Sequence, residues 1–471
     1  MKNFIGRDRE IALLRTWQDK PHRSTLTAIY GRRRIGKTRL VEETYKNSFM
    51  LQFEGLERGT PFTQKDHFLK TFSRLTKENM TSITAHSSWE DILIFLSEYL
   101  KKKPTIIFFD EFQWMAGERQ ELVSIVKFVW DNYFVKNNCV HLILCGSVSS
   151  FIVKKVIHSK ALYGRIDTIL ELSPLSFHNA WHGFMNKRNI YEALEYYMVV
   201  GGVPKYLELY NQNTSTMLNL KNLCFSKSGY LYNDVDRLFV SHFGKVKHYR
   251  TIVKFCAERK SATREEIINH CGMISGGRIS KFLEELELAQ FIESYHPVSR
   301  NESERLKRYR ISDPYVRFYY KFIYPQRNKI KKLTTDFSLE KVLPQARYDI
   351  WRGLAFEYLC LTHADKIAKA LDFAAVNYEY GSWFSRHDQK TGFQIDPVFI
   401  RADRVITICE IKYKNHIGKE IIKAVEEKIK LFPNPKQYTI EKVLISALEP
   451  SKHLSPEGYF SRILTVNDLF L

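Results

Sequence analysis

The sequence of 471 residues lacks the features that mark several protein classes. It has no apolar run near the roughly 20 residues that a membrane span requires. Its first residues, MKNFIGRDRE, carry charges where a signal peptide has an apolar core. Its seven cysteines include no C-x-x-C pair, which argues against a zinc ribbon and for a reducing interior. Internal repeats and low-complexity tracts are also missing, so we expect a soluble, cytoplasmic protein.

Acidic residues are scarce relative to basic ones. The 52 Asp and Glu against 72 Lys and Arg give a formal net charge of +20. Such an excess favours polyanions, either nucleic acid or an anionic membrane surface. Because no basic amphipathic helix of the membrane-binding kind is apparent, we expect DNA as the partner and no membrane. A hydrophobic fraction of 44% is sufficient for several packed cores.

A nucleotide site is predicted by LTAIYGRRRIGKTRLVEETY, which has the pattern of a strand, a glycine-bounded loop and a helix. Gly31 to Thr38 match the phosphate-binding pattern G-x-x-x-x-G-K-T. The glycines let backbone amides turn toward a phosphate, Lys37 would reach the β- and γ-phosphates, and Thr38 would ligate Mg²⁺. The residues expected around the nucleotide are Gly31, Arg32, Arg33, Arg34, Ile35, Gly36, Lys37, Thr38 and Arg39. A glycine-rich turn with a chance lysine is the alternative.

The second half of this site is predicted at the end of the apolar strand in TIIFFDEFQW. Asp110 would hold Mg²⁺ through water, and Glu111 would act as the general base on the attacking water. A third strand, VHLILCGS, ends at Ser147, which could sense the γ-phosphate. Helical stretches around 64–78, 88–101 and 119–135 alternate with these strands, which predicts a parallel sheet with helices on both faces.

The ordered series FIGRDREIALL, GRRRIGKT, FFDEFQW, LCGS, LYGR, LSPLSF and GGVPKYL resembles the archaeal-type ATPases of the AAA+/STAND branch of P-loop proteins. This resemblance covers roughly residues 1–230 and implies ATP as the nucleotide. It implies that Phe4, Ile5 and Arg7 flank the adenine, and that Gly202 and Pro204 contact the nucleotide from a helical lid. Arg165 would be an arginine finger that reaches a neighbouring subunit, with an ordinary surface arginine as the alternative. Whether the chain forms a homo-oligomer is left open.

Residues 247–312 predict a helix–turn–helix followed by a β-hairpin, the pattern of a winged helix. Thr263 and Glu266 have the spacing of a capping box, and Gly272 is placed to end that helix. The candidate DNA contacts are Arg278 and Lys281 on the second helix of the motif, and Arg305, Lys307, Arg308 and Arg310 on the hairpin. The alternative is a domain that packs on the ATPase and relays its state.

A metal site is predicted in GFQIDPVFIRADRVITICEIKYKN, residues 392–415. Glu410 and Lys412 lie two apart on one strand and therefore on one face. The adjacent strand would bring Asp396 beside Glu410, and Glu357 would add a carboxylate from the preceding helix. Three carboxylates could bind Mg²⁺, and Lys412 would orient the nucleophile or stabilise developing charge.

The order of helix with Glu, strand with Asp, strand with Glu-x-Lys and helix resembles the PD-(D/E)xK nucleases over roughly residues 345–450. The resemblance implies a restriction-endonuclease-like fold and metal-dependent cleavage of DNA. Asp396 precedes a proline instead of following one, which departs from the family's pattern. An inactive copy retained for binding, or a strand pair with surface charges, is the alternative.

The predicted fold class is multidomain α/β. The predicted domains are an AAA+ ATPase core at 1–172, a helical lid at 173–240, a winged helix at 241–330 and a nuclease-like domain at 331–471. The favoured function is an ATP-binding and ATP-hydrolysing protein that acts on DNA and controls its own nuclease-like domain. The alternative is a STAND-like, nucleotide-controlled signalling or assembly switch whose C-terminal domain only binds DNA or protein.

Overall fold

The computed structural model describes residues 4–18, 23–78, 82–100, 104–137, 139–244, 246–298, 306–333, 337–384, 394–414, 417–418, 420–448 and 458–470. The chain divides into two units, Met1–Leu175 with Val203–Lys205, and Ser176–Gly202 with Tyr206–Leu471. The segments predicted as winged helix and nuclease-like domain share the second unit. The finer domain borders at 240 and 330 therefore stay predictions.

The first unit is built on a parallel sheet. Its helices are α1 (Asp8–Arg15), α2 (Lys37–Thr44), α3 (Pro61–Thr76), α4 (Trp89–Tyr99), α5 (Phe112–Met115), α6 (Glu121–Val129) and α7 (Ser149–Phe151), and its strands are β1 (Thr25–Tyr30), β2 (Met50–Glu54), β3 (Thr105–Asp110), β4 (Val140–Gly146) and β5 (Thr168–Glu171). The strands lie in the order β2-β3-β4-β1-β5, and each neighbouring pair is parallel. Strands β3 and β4 are buried throughout, as expected for a parallel sheet covered by helices. The predicted parallel α/β sheet is confirmed.

The residues at the starts of α3 and α4 explain why these two helices begin where they do. The Thr60 hydroxyl accepts from the backbone amide of Thr63, and Pro61 occupies the first turn of α3. Ser88 and Asp91 form a capping box at the start of α4. Phe68 of α3 then stacks on Phe53 of β2, with ring centroids 3.9 Å apart, which packs this helix on the sheet.

The second unit begins with helices and continues into a helix–turn–helix and hairpin. The helices are α8 (Phe177–Phe184), α9 (Ile190–Val200), α10 (Pro204–Leu207), whose first two residues are assigned to the first unit, α11 (Thr216–Cys224) and α12 (Asp234–Phe243). They are followed by α13 (Lys247–Ala257), β6 (Ala262–Thr263), α14 (Arg264–Cys271), α15 (Gly277–Leu288), β7 (Ile292–Tyr295) and β8 (Arg308–Ile311). The three strands form an antiparallel sheet in the order β6-β8-β7. Thr263 and Glu266 form the predicted capping box, and Gly272 ends α14 in the left-handed region at φ 61°. We call residues 247–311 the helix–hairpin segment.

The rest of the second unit contains a mixed sheet, β9 to β13, which we call the C-terminal sheet. Its elements are α16 (Pro314–Phe318), α17 (Arg327–Ile330), α18 (Gln345–Thr362), α19 (Ala364–Ala370), β9 (Tyr378–Phe384), β10 (Gln394–Arg401), β11 (Val405–Lys412), α20 (Glu420–Leu431), β12 (Thr439–Ser446), β13 (Arg462–Thr465) and α21 (Val466–Phe470). The strand order is β13-β12-β11-β10-β9, with β10 antiparallel to both its neighbours and β11, β12 and β13 parallel. Among the described residues, no helix is both long enough and apolar enough to cross a membrane.

Candidate functional site

The predicted phosphate loop joins β1 to α2. Gly31 leaves β1 with φ 148°, and a Cβ at this position would lie 2.6 Å from the carbonyl oxygen of Leu172, so only glycine fits. Gly36, with φ 90°, directly precedes α2. The free amides of the first turn of α2 therefore begin at the end of the loop, where helix geometry favours an anion.

Lys37 is buried, and its ammonium donates to loop carbonyl oxygens. The acceptors are the carbonyl oxygens of Gly31 at 2.9 Å and Arg32 at 3.1 Å. Both acceptors are neutral, and a hydrogen bond between an ammonium and a charged phosphate oxygen is stronger than one to a carbonyl. Lys37 is therefore positioned inside the loop with partners that a phosphate can replace.

The two predicted Mg²⁺ ligands lie next to each other. The Thr38 hydroxyl donates to Asp110 Oδ2 at 2.7 Å. Burial is the main cause that raises the pKa of Asp110 to about 6, and the hydrogen bond from Thr38 opposes it. A hydroxyl and a carboxylate at the end of a parallel strand are oxygen ligands of the kind that Mg²⁺ prefers, so these residues fit the ion.

Glu111, the predicted base, is held by Ser147, which follows β4, and by Gln113 of α5. Its Oε2 accepts from the hydroxyl of Ser147 at 2.6 Å and from the Ser147 amide at 3.2 Å. The fully buried Gln113 side-chain amide donates to the same oxygen and lies 3.5 Å from the Ser147 hydroxyl. The structure thus brings the predicted base and sensor together. Gln113 is not among the site residues predicted from the sequence. Its position two residues after Glu111 is the sequence feature that could have indicated it.

The other predicted nucleotide contacts are distributed around the loop. Within the loop, Arg32 and Ile35 are buried, Arg33 pairs with Glu57 at 3.5 Å, and the backbone of Arg34 is in the left-handed region at φ 71°. Arg39 is exposed on α2. Near the N-terminus, Phe4 and Ile5 are half-buried. Arg7 donates to the carbonyl oxygen of Ser173 at 2.6 Å and pairs with Glu10 at 2.9 Å. A Cβ on Gly36 would lie 3.9 Å from Pro204 Cγ, so Pro204 lies beside the loop, whereas Gly202 belongs to the second unit.

Arg165, the predicted arginine finger, is paired within its own chain. Its Nε and Nη2 donate to the two carboxylate oxygens of Asp131 at 2.7 and 2.9 Å. Asp131 lies in the π-helical turn Trp130–Phe134 that follows α6, and it also pairs with Lys127 at 3.1 Å. The hydrogen bond from Arg165 is the main cause that holds the pKa of Asp131 below its ordinary value. The finger role stays a prediction.

A parallel sheet with a phosphate loop after β1, acids after β3 and a polar residue after β4 defines the first unit as a P-loop ATPase domain. Residues 4–210 match a family model described as an ATPase domain predominantly from Archaea. Residues 319–428 match a model described as archaeal bacterial proteins of unknown function. The predicted archaeal-type ATPase domain is therefore confirmed. The C-terminal match assigns no function, so the nuclease resemblance stays a prediction.

Similarity to known proteins covers most of the chain. An uncharacterised protein of Methanocaldococcus jannaschii is 27% identical over 425 residues, which cover 89% of this chain and 90% of that protein. The structure of a Walker-type ATPase of Pyrococcus abyssi has a TM-score of 0.51 at 18% identity and covers 67% of this chain and 96% of its own; it shows the shared fold alone. The structure of the ORC2 protein of Aeropyrum pernix, in complexes with ADPNP and ADP, has a TM-score of 0.41 at 16% identity and covers 70% of this chain and 96% of its own. This similarity is too low to support a functional conclusion.

The four residues predicted as a nuclease site lie in two clusters. Glu357 of α18 and Asp396 of β10 both contact the Lys260 ammonium, at 3.3 and 2.9 Å. Glu410 of β11 instead pairs with Lys412 at 2.6 Å and with Lys428 of α20 at 2.5 Å. In the parts of the chain that the structure describes, no group of three or more acidic, histidine or cysteine residues is arranged to hold a metal ion. The expected single cluster around one cation is not formed.

A slip in strand register explains the separation. Val398 of β10 pairs with Ile408 of β11, so a regular strand would have placed Asp396 opposite Glu410. However, the β9–β10 register shifts between Ile395 and Val398, and these two residues both enter the apolar cluster around Phe432 although they are an odd number of positions apart. The bulge reverses the alternation of faces. Asp396 therefore faces α18, whereas Glu410 faces α20.

The hairpin arginines predicted to contact DNA are packed on aromatic rings. Arg310 pairs with Glu293, keeps 15% of its side chain exposed, and lies 5.1 Å from the ring centre of Tyr358. Arg308 lies 4.5 Å from the ring centre of Phe384. Lys307 lies 5.8 Å from the ring centre of Tyr309, Arg305 is outside the described residues, and Arg278 and Lys281 are exposed on α15. The described hairpin cations thus contact aromatic rings, whereas Arg278 and Lys281 are exposed on α15, where Lys281 also pairs with Glu285 at 3.9 Å.

Proposed function

We propose that the chain is a nucleotide-controlled switch that binds and hydrolyses ATP with Mg²⁺ in its first unit. The observation that carries this proposal is the contact between Thr38 and Asp110 beside the base Glu111. Lys37 binds the β- and γ-phosphate oxygens, and Glu111 accepts a proton from the attacking water. Mg²⁺, held by Thr38 and Asp110, supplies charge neutralisation on the phosphates when bound.

The network around Glu111 suggests how the site senses the γ-phosphate. Ser147 has a single hydroxyl proton, which it donates to Glu111. It cannot donate this proton to Glu111 and to a phosphate oxygen at the same time. Binding of the γ-phosphate therefore releases Glu111 toward the attacking water, while Gln113 keeps the carboxylate within reach of the site.

The test compares Glu111→Gln with Glu118→Gln, a change of an exposed acid in the same unit. We expect Glu111→Gln to bind ATP as the wild type does, because it keeps Lys37 and Thr38, and to lose turnover by roughly 10²- to 10⁴-fold, the usual contribution of a general base. Full turnover by the Glu111 variant in a phosphate-release assay would remove this residue as base.

DNA contact through α15 is a second candidate activity. Arg278 and Lys281 are exposed on this helix, and the chain carries a net charge of +20. Reversing both charges should weaken DNA binding and flatten its dependence on salt, because fewer phosphates would be neutralised. Arg347→Glu with Lys369→Glu makes the same change in charge at exposed positions elsewhere in the unit. Equal losses of affinity in both double variants would assign the binding to overall charge and not to α15.

The sequence also predicts that the ATPase controls DNA cleavage by the C-terminal domain. The carboxylates predicted to form that nuclease site lie in two separate clusters, and this favours the switch. The predicted ligands Glu357 and Asp396 pair with Lys260, whereas Glu410 pairs with two other lysines. Incubation of plasmid with Mg²⁺ or Mn²⁺, with and without ATP, decides between the two. Nicking that Glu410→Ala abolishes would establish the nuclease, and intact DNA alongside normal ATP turnover would support the switch.

A further inference from the structure

Lys260 occupies the place between two carboxylates where the sequence predicted a metal ion. It lies in the turn between α13 and β6, while Glu357 and Asp396 belong to α18 and to the C-terminal sheet. Asp396 is 3% exposed and Glu357 is 29% exposed, whereas Lys260 keeps 47% of its side-chain surface. The acid pair is thus the more buried partner, and its charge is compensated by a side chain from another part of the unit.

The electrostatics of the cluster agree with this geometry. Burial opposes the charged ammonium, yet Asp396 and Glu357 together outweigh burial and hold the pKa of Lys260 above its ordinary value. The remaining oxygen of Asp396 accepts from the Gln394 side-chain amide at 2.9 Å. Two carboxylates within 3.3 Å of one ammonium form a cation site, and Lys260 fills it.

Contacts around Lys260 join the helix–hairpin segment to the C-terminal part of the unit. The Val298 amide donates to the Ser382 carbonyl oxygen of β9 at 2.9 Å. The Arg310 guanidinium of β8 lies 5.1 Å from the ring centre of Tyr358 of α18, and the Arg308 guanidinium lies 4.5 Å from the ring centre of Phe384 of β9. A cavity of about 170 Å³ beside Lys260 is lined in part by Arg310, Arg317 and the acid pair. None of these named contacts is an ion pair with Glu357 or Asp396, whereas the Lys260 ammonium contacts both carboxylates.

We propose that Lys260 is the resident cation of the Glu357–Asp396 pair, and that it thereby fastens the helix–hairpin segment to the C-terminal sheet and excludes a divalent cation. Removal of the ammonium leaves two carboxylates that repel each other in a partly buried place. The junction then opens unless the acids are neutralised or another cation enters. This inference is independent of the nucleotide site.

Hydrogen exchange of the Val298 amide reports on the junction, because its acceptor lies on β9. In the full chain, we expect Lys260→Met to speed exchange of the peptide that carries Val298 by about tenfold or more. Lys369→Met, an exposed lysine on α19, should leave exchange unchanged. Adding Glu357→Gln and Asp396→Asn to Lys260→Met should restore slow exchange, since no charge is then left uncompensated. A junction that needs Lys260 only for its packing would stay open in this triple variant.

Adding Mn²⁺ tests whether the Glu357–Asp396 pair accepts another cation in place of Lys260, which a simple ion pair would not do. We expect Mn²⁺ to slow exchange again in Lys260→Met and to leave the wild type and the triple variant unchanged. Equal effects of Mn²⁺ on all three proteins, or no effect on Lys260→Met, would overturn the proposal. If Lys260→Met does not fold, Asp396→Asn with the lysine retained takes its place. It should speed exchange by a smaller factor and show no response to Mn²⁺, and wild-type exchange rates in this variant would also overturn the proposal.

Discussion

Each of the two units holds a lysine whose ammonium contacts two protein oxygens, but the oxygens differ in charge. In the first unit, Lys37 donates to the neutral carbonyl oxygens of Gly31 and Arg32. In the second unit, Lys260 contacts the carboxylates of Glu357 and Asp396. The first ammonium has neutral hydrogen-bond acceptors that an anion can replace, whereas the second is already in contact with two carboxylates of the protein.

This difference separates a binding residue from a structural one. Hydrogen bonds to a charged partner contribute more than those to a neutral partner, so phosphate can displace the carbonyl oxygens around Lys37. No such gain is available to Lys260, because its partners are already charged. We therefore expect substitution of Lys37 to affect ligand binding and substitutions in the lysine–acid clusters of the second unit to affect stability.

The largest effect is expected at Lys37. Lys37→Ala removes the main counterion of the phosphates, and two charged hydrogen bonds of about 1.5–3 kcal/mol each correspond to a loss of ATP affinity of about 100-fold or more. The melting temperature without nucleotide should change little. Lys46→Ala, an exposed lysine paired with Glu43, is the matched control. Calorimetric titration with ATP provides the measurement, and near wild-type affinity in Lys37→Ala would contradict the assignment.

A moderate effect on stability is expected at Glu410. Burial opposes its charged form, but Lys428 and Lys412 outweigh burial and hold the pKa of Glu410 below its ordinary value of 4.5. Glu410→Gln should lower the free energy of unfolding by about 1–2 kcal/mol at neutral pH. A carboxylate with a lowered pKa stabilises the fold above its unfolded pKa, and this contribution is lost as the pH falls through the folded value.

The pH dependence distinguishes this ion pair from a packing effect. The difference in unfolding free energy between wild type and Glu410→Gln should be complete above about pH 4.5 and shrink at lower pH. Glu379→Gln, on an exposed face of β9, should show no difference at any pH. A deficit in Glu410→Gln that persists at acid pH would indicate lost packing, and ATP binding should be unchanged in both variants.

The smallest effect is expected at Asp131. Asp131→Asn weakens the two bonds to Arg165 in a partly exposed pair, so the stability should fall by about 0.5 kcal/mol or less. If Arg165 acts on a neighbouring subunit, its release should raise the dependence of ATP turnover on protein concentration. Lys127→Ala removes the neighbouring cation while Arg165 stays bound, and should not change that dependence.

The nucleotide site could be predicted from the sequence because its parts are local or fixed by parallel strands. Gly31 to Thr38 are contiguous, so their geometry depends on one turn and one helix. Asp110 is the last residue of β3 and Ser147 follows β4, and the carboxyl ends of these neighbouring parallel strands meet at one edge of the sheet. Strand order then brings Glu111 and Ser147 together, with Gln113 as an addition that the motif does not specify.

The acid clusters could not be predicted in the same way because they depend on register. One slip in β10 turns Asp396 to the other face, and no spacing rule contains that information. Pro397 offered a signal, since proline inside a central strand is found at bulges. Lys260 lies 97 positions before Glu357 and carries no local pattern. Only the packing of the helix–hairpin segment on α18 makes it a neighbour.

The short stretch Val203–Lys205 has a consequence for dissecting the protein. It belongs to the first unit, although the residues on both sides of it belong to the second. A fragment that stops at Leu175 would keep every strand of the first sheet yet lose Pro204, which lies beside the glycine before α2. We expect such a fragment to bind ATP less tightly than the full chain, and comparison with a fragment that also supplies residues 203–205 would test whether Pro204 is the cause.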